Sequence, residues 1–422
     1  MARADELCVL LHGQLVGHLR RSDSEAPRFS YEAQYVADSD LALSASLPLT
    51  STEYTAERTA PFFLGLLPEN QGALTAWGAQ LDVDSQDWFA LLGAMGLDCP
   101  GAVQFVLPDE LATVISEEAT YLPVSETDIE ERLRAVSGDN ASWSMKGEHW
   151  SLAGQQEKFA LAYLEGEWFS AQGAAATTHI LKPGIKDLNH QALAEHLTLT
   201  AAGLVGIGVA PSSFQRFGDQ WAIVSTRYDR AIEGRQVERI HQEDLAQACR
   251  RVPARKYETN GGPGLRDMAN ILKRESTDLV DDRKALAEFA LINLVSGAPD
   301  GHAKNISLLR TPSAISVAPL YDLATGLIYD PTTTDRSIAV SIGGERHASR
   351  IRRKQLDKAA QAIGVSADWF AGRAVELATD FPAAFVEACA PHVETPGCLE
   401  ILERAVPELE RHSELLLTNF AG

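Results

Sequence analysis

The order of apolar and polar positions predicts a small α+β unit at the start of the chain. Residues 7–20 are typical of a β-hairpin, and residues 29–35 alternate between apolar and polar like a half-buried strand. Apolar stretches at residues 61–70 and 88–95 predict helical segments, and residues 103–107 predict a strand. We find no cluster of residues with evident chemistry in this part, and we interpret it as an accessory subdomain.

The middle of the chain predicts a second, strand-rich unit. Residues 108–137 are acidic and rich in turn formers, with a short helical segment near residues 128–135, which is typical of a linker or the entry to a lobe. A helix is predicted over residues 189–204, where Asn189 is placed to cap the first turn. Apolar runs predict four strands, at residues 159–163, 177–183, 213–217 and 221–225.

The remainder of the chain predicts helices. One helix is expected to begin at His241, a second covers residues 265–273, and residues 351–420 are helical throughout. Another helix, apolar almost all round, has Asp281 and Asp282 available as caps and leads into a polar loop.

Composition limits the classes to which the protein can belong. Its 422 residues are too many for one ordinary core and predict two or three domains or lobes. Without a membrane-length apolar run or a signal-peptide core, we expect a cytoplasmic protein with no membrane partner. The net charge of -21 opposes unaided nucleic-acid binding, so DNA contact is expected only through a basic partner. Five scattered cysteines predict free thiols.

The polar loop at residues 297–305 carries the residue types of phosphoryl transfer. Four residues separate Asp300 from Asn305, and Asp322 follows the next apolar run, which is the spacing of a kinase catalytic loop and its metal-binding aspartate. One carboxylate takes the proton of the attacking hydroxyl, while an amide oxygen and a second carboxylate hold Mg²⁺. The loop alone is equally compatible with a solvated turn.

Three upstream stretches supply the partners that this loop needs. Residues 151–158 lie before a strand, where backbone N–H groups can wrap phosphates and Lys158 can add charge. Lys182 lies in a strand and Glu195 in the following helix, like the lysine–glutamate pair of a kinase. Residues 226–230 follow a later strand, where a hinge between lobes can meet an adenine. A hairpin loop, a surface lysine and a solvated glutamate explain them singly, but their order favours a kinase.

Taken together, these motifs resemble the HipA toxin kinase family. They are PFFLGLLP (61–68), DCPGAV (98–103), SLAGQQEK (151–158), THILKP (178–183), TRYDR (226–230), HQED (241–244), GGP (261–263), DGHAKN (300–305) and PLYD (319–322). The resemblance implies an α+β, two-lobed protein-kinase-like fold with a β-rich N-lobe and an all-helical C-lobe. The expected boundaries are 1–108 for the accessory subdomain, 109–228 for the N-lobe and 229–422 for the C-lobe.

The resemblance also implies an activity and partners. It indicates an ATP- and Mg²⁺-dependent serine/threonine protein kinase toxin of a type II toxin–antitoxin system, inhibited by a HipB-like helix-turn-helix antitoxin. The implied substrate is a translation component such as an aminoacyl-tRNA synthetase, whose phosphorylation arrests growth. The alternatives are a small-molecule or lipid kinase on the same scaffold and a non-catalytic co-repressor subunit.

Site residues follow from the resemblance by position. Asp300 corresponds to the catalytic base, and Asn305 and Asp322 correspond to the Mg²⁺ ligands. Ser151 matches a serine whose autophosphorylation ejects the phosphate loop and inactivates the enzyme. The ATP-binding positions are Leu152, Ala153, Gly154, Gln155, Gln156, Glu157, Lys158, Lys182, Thr226, Arg227, Tyr228, His302, Lys304 and Tyr321. The family often has Gly-Ala-Gln at residues 154–156, so the larger Gln155 is expected to alter the approach of the loop to phosphate.

Overall fold

The accessory subdomain is a four-stranded antiparallel sheet with helices against it. The structure, a computed structural model, describes residues 5–22, 25–137, 147–332 and 334–421. The sheet has the order β3-β2-β1-β4. Its strands are β1 (Glu6–Leu11), β2 (Gln14–Ser22), β3 (Glu25–Tyr31) and β4 (Val103–Val106), and its helices are α1 (Ala33–Asp38), α2 (Ala56–Leu64), α3 (Gln71–Leu81) and α4 (Trp88–Met95).

The predicted hairpin is present, whereas the strand predicted at residues 29–35 is too long. The hairpin turns at His12 and Gly13, which both have the positive φ that a tight two-residue turn requires. β3 ends at Tyr31, and the chain then enters α1, from which the Tyr35 hydroxyl donates a hydrogen bond to the Leu41 carbonyl. The apolar residues there follow helix packing rather than strand alternation.

The N-lobe is built on a six-stranded antiparallel sheet with the order β5-β7-β6-β8-β10-β9. Residues 108–137 are more than a linker, because they supply one strand and two helices of this unit. The strands are β5 (Thr120–Pro123), β6 (Phe159–Leu164), β7 (Glu167–Gln172), β8 (His179–Lys182), β9 (Ser212–Phe217) and β10 (Gln220–Thr226). The helices are α5 (Leu111–Ser116), α6 (Glu126–Val136) and α7 (Gln191–Leu204). Most of the segment 142–147 that precedes the phosphate loop lies outside the described residues.

The two faces of the N-lobe sheet belong to different hydrophobic cores. Along β10, Ala222 and Val224 join a core shared with the accessory subdomain, whereas Ile223 joins the core of the C-lobe. Trp77 of the accessory subdomain packs edge-on against Trp150, with ring centroids 5.4 Å apart, just before the phosphate loop. The accessory subdomain is thereby held against the loop.

The C-lobe is mainly helical but also contains two small sheets, so the all-helical description is too simple. Its helices are α8 (Leu245–Ala248), α9 (Leu265–Glu275), α10 (Leu279–Val295), α11 (Arg353–Ile363), α12 (Ala367–Cys389) and α13 (Cys398–Ala421). Its strands form the pair β11 (Arg230–Glu233) and β12 (Gln236–Arg239) and the sheet β13 (His241–Asp244), β14 (Ser307–Arg310) and β15 (Ile315–Val317). β14 and β15 lie between the catalytic loop and Asp322, so this sheet fixes their separation. No described helix is long and apolar enough to cross a membrane.

Three predicted helix starts are corrected by the structure. His241 begins β13 rather than a helix, and Asp244 caps the short α8 through the N–H of Gln247. Asp278, not Asp281 or Asp282, caps α10. α7 follows His190, and not Asn189, at the cap position, where the imidazole bonds to Glu400. All five cysteines are free thiols, as predicted.

Candidate active site

A lysine from the N-lobe joins two carboxylates from different elements. Lys182 ends β8, and its Nζ donates to Glu195 Oε1 of α7 at 2.8 Å and to Asp322 Oδ1 at 2.7 Å. The Lys182 and Glu195 side chains are 9% and 1% exposed, so the bond between them is largely desolvated, whereas the Asp322 side chain is 37% exposed. Lys182 therefore connects α7 of the N-lobe to the segment that carries Asp322.

Asp322 adopts a strained backbone conformation at this junction. Its φ is +57°, a left-handed value that costs energy for a residue with a Cβ and often marks functional sites. Burial opposes ionisation of its carboxyl group, but Lys182 and Lys158 together hold its pKa far below the ordinary value. Asp322 is therefore an anion, and Oδ2 is left beside the oxygen that binds Lys182.

The polar loop at residues 297–305 presents Asp300 toward solvent and Asn305 toward the interior. The Asp300 side chain is 59% exposed, and its Oδ1 accepts a hydrogen bond of 2.6 Å from the Tyr257 hydroxyl. The pKa of the Asp300 carboxyl group is raised, mainly because the surrounding cleft residues exclude water from it. The Tyr257 hydrogen bond lowers this pKa, and repulsion from Asp322 raises it further. Asn305 Nδ2 donates to the Asp300 carbonyl at 2.8 Å, which leaves the amide oxygen of Asn305 for another partner. Burial and Lys256 lower the pKa of His302 to about 3, so this imidazole is neutral.

The phosphate loop is tied to the accessory subdomain by hydrogen bonds. Ser151 is fully buried and its Oγ donates to the Leu66 carbonyl at 2.8 Å. The Glu69 N–H donates to the Gly154 carbonyl at 2.9 Å, and Asn70 Nδ2 donates to the Gln155 carbonyl at 3.3 Å. These bonds hold the loop in a closed position over the cleft.

Lys158 and Gly154 face each other within this loop. Gly154 has φ +106°, and a Cβ added there would lie 2.7 Å from Lys158 Nζ. Burial and the neighbouring Lys182 lower the pKa of Lys158 to about 8. Two lysines therefore point into the same cleft, and an anionic ligand would relieve their repulsion.

The predicted adenine residues lie at the hinge, but one of them has another role. Thr226 Oγ1 lies 3.2 Å from His179 Nε2, and the Tyr228 hydroxyl donates to the Gln242 side chain. The Arg227 guanidinium is turned away from the cleft, where it bonds to Asp229 and Asp98. The Arg227 side chain is 2% exposed within an ion cluster, so only the main chain of Arg227 is left to contact an adenine.

The ion cluster at the hinge is centred on Asp98 of the accessory subdomain. Its carboxylate lies 2.8 Å from Arg230, 3.0 Å from Arg239 and 3.3 Å from Arg227. The three arginines hold the pKa of Asp98 far below the ordinary value, against the opposing effect of burial. The accessory subdomain thus contributes one carboxylate to a buried ion cluster whose arginines all come from residues 227–239.

Lys304 and Tyr321 line the cleft and also join its walls. Lys304 Nζ donates to Asp244 Oδ2 at 2.9 Å and to the Gly65 carbonyl at 3.0 Å. The Tyr321 hydroxyl donates to the Lys304 carbonyl at 2.7 Å, and its ring lies 5.3 Å from that of Tyr228. Both side chains therefore hold together segments that line the cleft.

One cleft of about 490 Å³ between the lobes gathers nearly all of the predicted site residues. Glu157, Ser151 and Glu195 are the exceptions, since none of them lines this cleft. The cleft residues are Leu152, Ala153, Gly154, Gln155, Gln156, Lys158, Lys182, Thr226, Arg227, Tyr228, Asp300, His302, Lys304, Asn305, Tyr321 and Asp322. Its volume suits a nucleotide and its lysines suit phosphates. The Asn305 amide oxygen and the ionised Asp322 carboxylate, two residues that line the cleft, are ligand types that suit a hard divalent cation.

Sequence reasoning missed three further residues at the mouth of the cleft. Lys256 donates to Glu69 Oε2 at 2.8 Å, so a C-lobe lysine pairs with an accessory-subdomain carboxylate, and Tyr257 follows Lys256. The pattern around them predicts a connecting loop, and 187 positions separate Lys256 from Glu69. The one available signal for Lys256 and Tyr257 was their position just before the GGP motif.

The lobes, the lysine–glutamate pair and the loop with Asp300 and Asn305 define an ATP-dependent protein kinase. A family model of the HipA-like C-terminal domain matches residues 150–385, and one of the HipA N-terminal domain matches residues 7–106.

Relatives agree with the family models. The chain is 34% identical to the putative kinase Y4mE of Sinorhizobium fredii over 323 residues, which cover 75% of this chain and 76% of that protein. It is 30% identical to the serine/threonine-protein kinase toxin HipA of Shewanella oneidensis over 410 residues, or 92% and 90% of the two chains. A solved complex of Shewanella oneidensis HipA with HipB and operator DNA superposes with a TM-score of 0.80, at 26% identity, over 98% of this chain and 99% of that one. The chain belongs to the HipA family and is a serine/threonine protein kinase.

Proposed function

We propose that this kinase is a toxin that transfers the γ-phosphoryl group of ATP to a serine or threonine of a translation protein, with an aminoacyl-tRNA synthetase as the expected substrate. One observation carries the proposal: Lys182 is bonded to both Glu195 and Asp322, and it lines the same cleft as Asp322, Asp300 and Asn305. Asp300 is the proposed base, and the exposure of its side chain suits a macromolecular substrate.

Each remaining group has a proposed role in holding the nucleotide. Lys158 and Lys182 face the phosphates, and the main chain of residues 226–228 meets the adenine. Asn305 Oδ1 and the Asp322 carboxylate would hold Mg²⁺, which supplies neutralisation of the developing phosphate charge.

The proposed inhibition acts through Ser151. Its hydroxyl is buried against the Leu66 carbonyl, so it can reach a phosphoryl donor only when the phosphate loop leaves the accessory subdomain. A phosphate adds a charge of about -1.5 to -2, which cannot return to that buried position. Peptide mass spectrometry after incubation with Mg·ATP should find phosphate on Ser151, and a chain without it there would contradict this route.

The proposed partner is a HipB-like antitoxin, as in the solved complex of the relative. The net charge of -21 favours a basic protein as the contact to DNA. Co-expression with a candidate HipB-like helix-turn-helix protein, followed by gel filtration, should give one complex. Separate elution of the two proteins would contradict this partnership.

Labelling of a bacterial lysate with γ-³²P-ATP tests the proposed activity. Wild-type protein should label a discrete translation protein, and Asp300→Asn and Asp322→Asn should lower that labelling by about three orders of magnitude. Label in a lipid or a small molecule instead of protein would favour the alternative kinase class. If both variants labelled the protein as strongly as wild type, the roles proposed for Asp300 and Asp322 would be refuted.

A further inference from the structure

Tyr257 contacts Asp300, the proposed catalytic base, through its hydroxyl group. Its hydroxyl donates to Asp300 Oδ1 at 2.6 Å, and His302 Nε2 lies 3.9 Å from the same oxygen. Both neighbours therefore approach Oδ1, and no hydrogen bond or ion pair to Oδ2 is found among the described residues.

The tyrosine is itself held in place from several sides. Its ring packs edge-on against the His302 imidazole, with centroids 4.8 Å apart and planes at 80°. Its carbonyl accepts hydrogen bonds from the N–H groups of Asn260 and Gly262, at 2.9 and 2.8 Å. The preceding Lys256 is fixed by its 2.8 Å ion pair with Glu69. The phenol thus reaches Asp300 from a fixed segment.

We propose that Tyr257 is the positioning residue of the base, holding Oδ1 so that Oδ2 faces the substrate hydroxyl; this inference rests on the proposed function. A carboxylate with 59% of its side chain exposed has two nearly equivalent oxygens and a soft terminal torsion, so it needs a partner to fix its orientation.

The orientation of the Asp300 carboxylate matters when the substrate hydroxyl attacks the γ-phosphorus. The hydroxyl oxygen of the substrate bonds to the γ-phosphorus, the bond from that phosphorus to the β–γ bridging oxygen breaks, and ADP leaves with the electron pair. The hydroxyl proton passes to Asp300 Oδ2. Tyr257 keeps its own proton throughout, because burial and the bond to Asp300 raise its pKa.

Tyr257→Phe tests the role, since it removes one hydroxyl and keeps the ring against His302. The measured quantity is the initial rate of γ-³²P incorporation into the lysate protein labelled by wild type. The maximal rate should fall about tenfold, the worth of one hydrogen bond to a charged group, with the KM for ATP and the melting temperature unchanged. Tyr163→Phe, on the outer surface of β6, is the matched control and should keep the wild-type rate.

A double-mutant cycle separates positioning from a general structural role. In the Asp300→Asn background, Tyr257→Phe should have little further effect on the residual rate, because there is no base left to orient. An undiminished rate in Tyr257→Phe, an equal loss in both backgrounds, or phosphate found on Tyr257 itself would overturn the inference. A wild-type rate in Asp300→Asn alone would instead refute the proposed function.

Discussion

Replacing Glu195 with Gln should slow phosphoryl transfer by removing one charge from the buried group around Lys182. Gln has the same size and can still accept the 3.2 Å bond from Gln191. Lys182 then has Asp322 as its single anionic partner, so it should bind that carboxylate more tightly and make it less available to a metal ion.

The magnitude follows from the distance and the burial. At 2.8 Å the Lys182–Glu195 attraction is about 6 kcal/mol with an effective dielectric constant near 20. The cost of burying Glu195 offsets most of this attraction, because burial disfavours the ionised carboxylate and raises its pKa. A net contribution of about 1.5–3 kcal/mol corresponds to a rate about 10- to 150-fold lower.

The assay is the initial rate of labelling with saturating γ-³²P-ATP, together with thermal unfolding of the same preparation. Glu288→Gln is the matched control, because Glu288 pairs with Arg373 at 2.9 Å on α10, away from the cleft. A folded Glu195→Gln protein with a rate within twofold of wild type would refute the assigned role of the pair.

Three further predictions address the loop and the hinge. The Lys158 pKa is about 8, and bound phosphates favour the charged form of this lysine. ATP affinity, measured by titration with a fluorescent ATP analogue, should therefore fall above pH 8 by up to about tenfold per pH unit. Lys158→Met should make the affinity less dependent on pH in this range. Gly154→Ala adds left-handed strain of about 1–2 kcal/mol and crowds Lys158, so the same titration should show at least about fivefold weaker binding, whereas Gly166→Ala, at φ +89° in open space, should leave binding unchanged. Asp98→Asn leaves buried arginines under-compensated and should lower the free energy of unfolding in urea by about 3–5 kcal/mol, against less than about 0.5 kcal/mol for the exposed Asp219→Asn; equal effects would contradict the role of the cluster.

The strands and helices that carry chemistry could be predicted because their signals are local. Short apolar runs predict β8 and β10, and the spacing of Asp300, Asn305 and Asp322 predicts a catalytic loop without knowledge of the fold. The α+β, kinase-like fold that these signals imply is confirmed. Boundaries failed where tertiary contacts override local preference, as at His241, which pairs in a sheet instead of starting a helix.

Contacts between distant segments could not be predicted. Arg227 was assigned to adenine because it follows a strand at the hinge, yet Asp98, 129 positions earlier, takes its guanidinium group. Glu69 and Lys256 meet across 187 positions, and no spacing rule connects them. Such pairs depend on the packing of the accessory subdomain against both lobes, which the whole core determines.

The most direct test of the account is a crystal structure with Mg²⁺ and a non-hydrolysable ATP analogue. The account predicts one nucleotide in the cleft, a metal ion about 2.0–2.1 Å from Asn305 Oδ1 and an Asp322 carboxylate oxygen, and a γ-phosphate beside Asp300. A nucleotide bound elsewhere, or a metal ion that contacts neither residue, would contradict it.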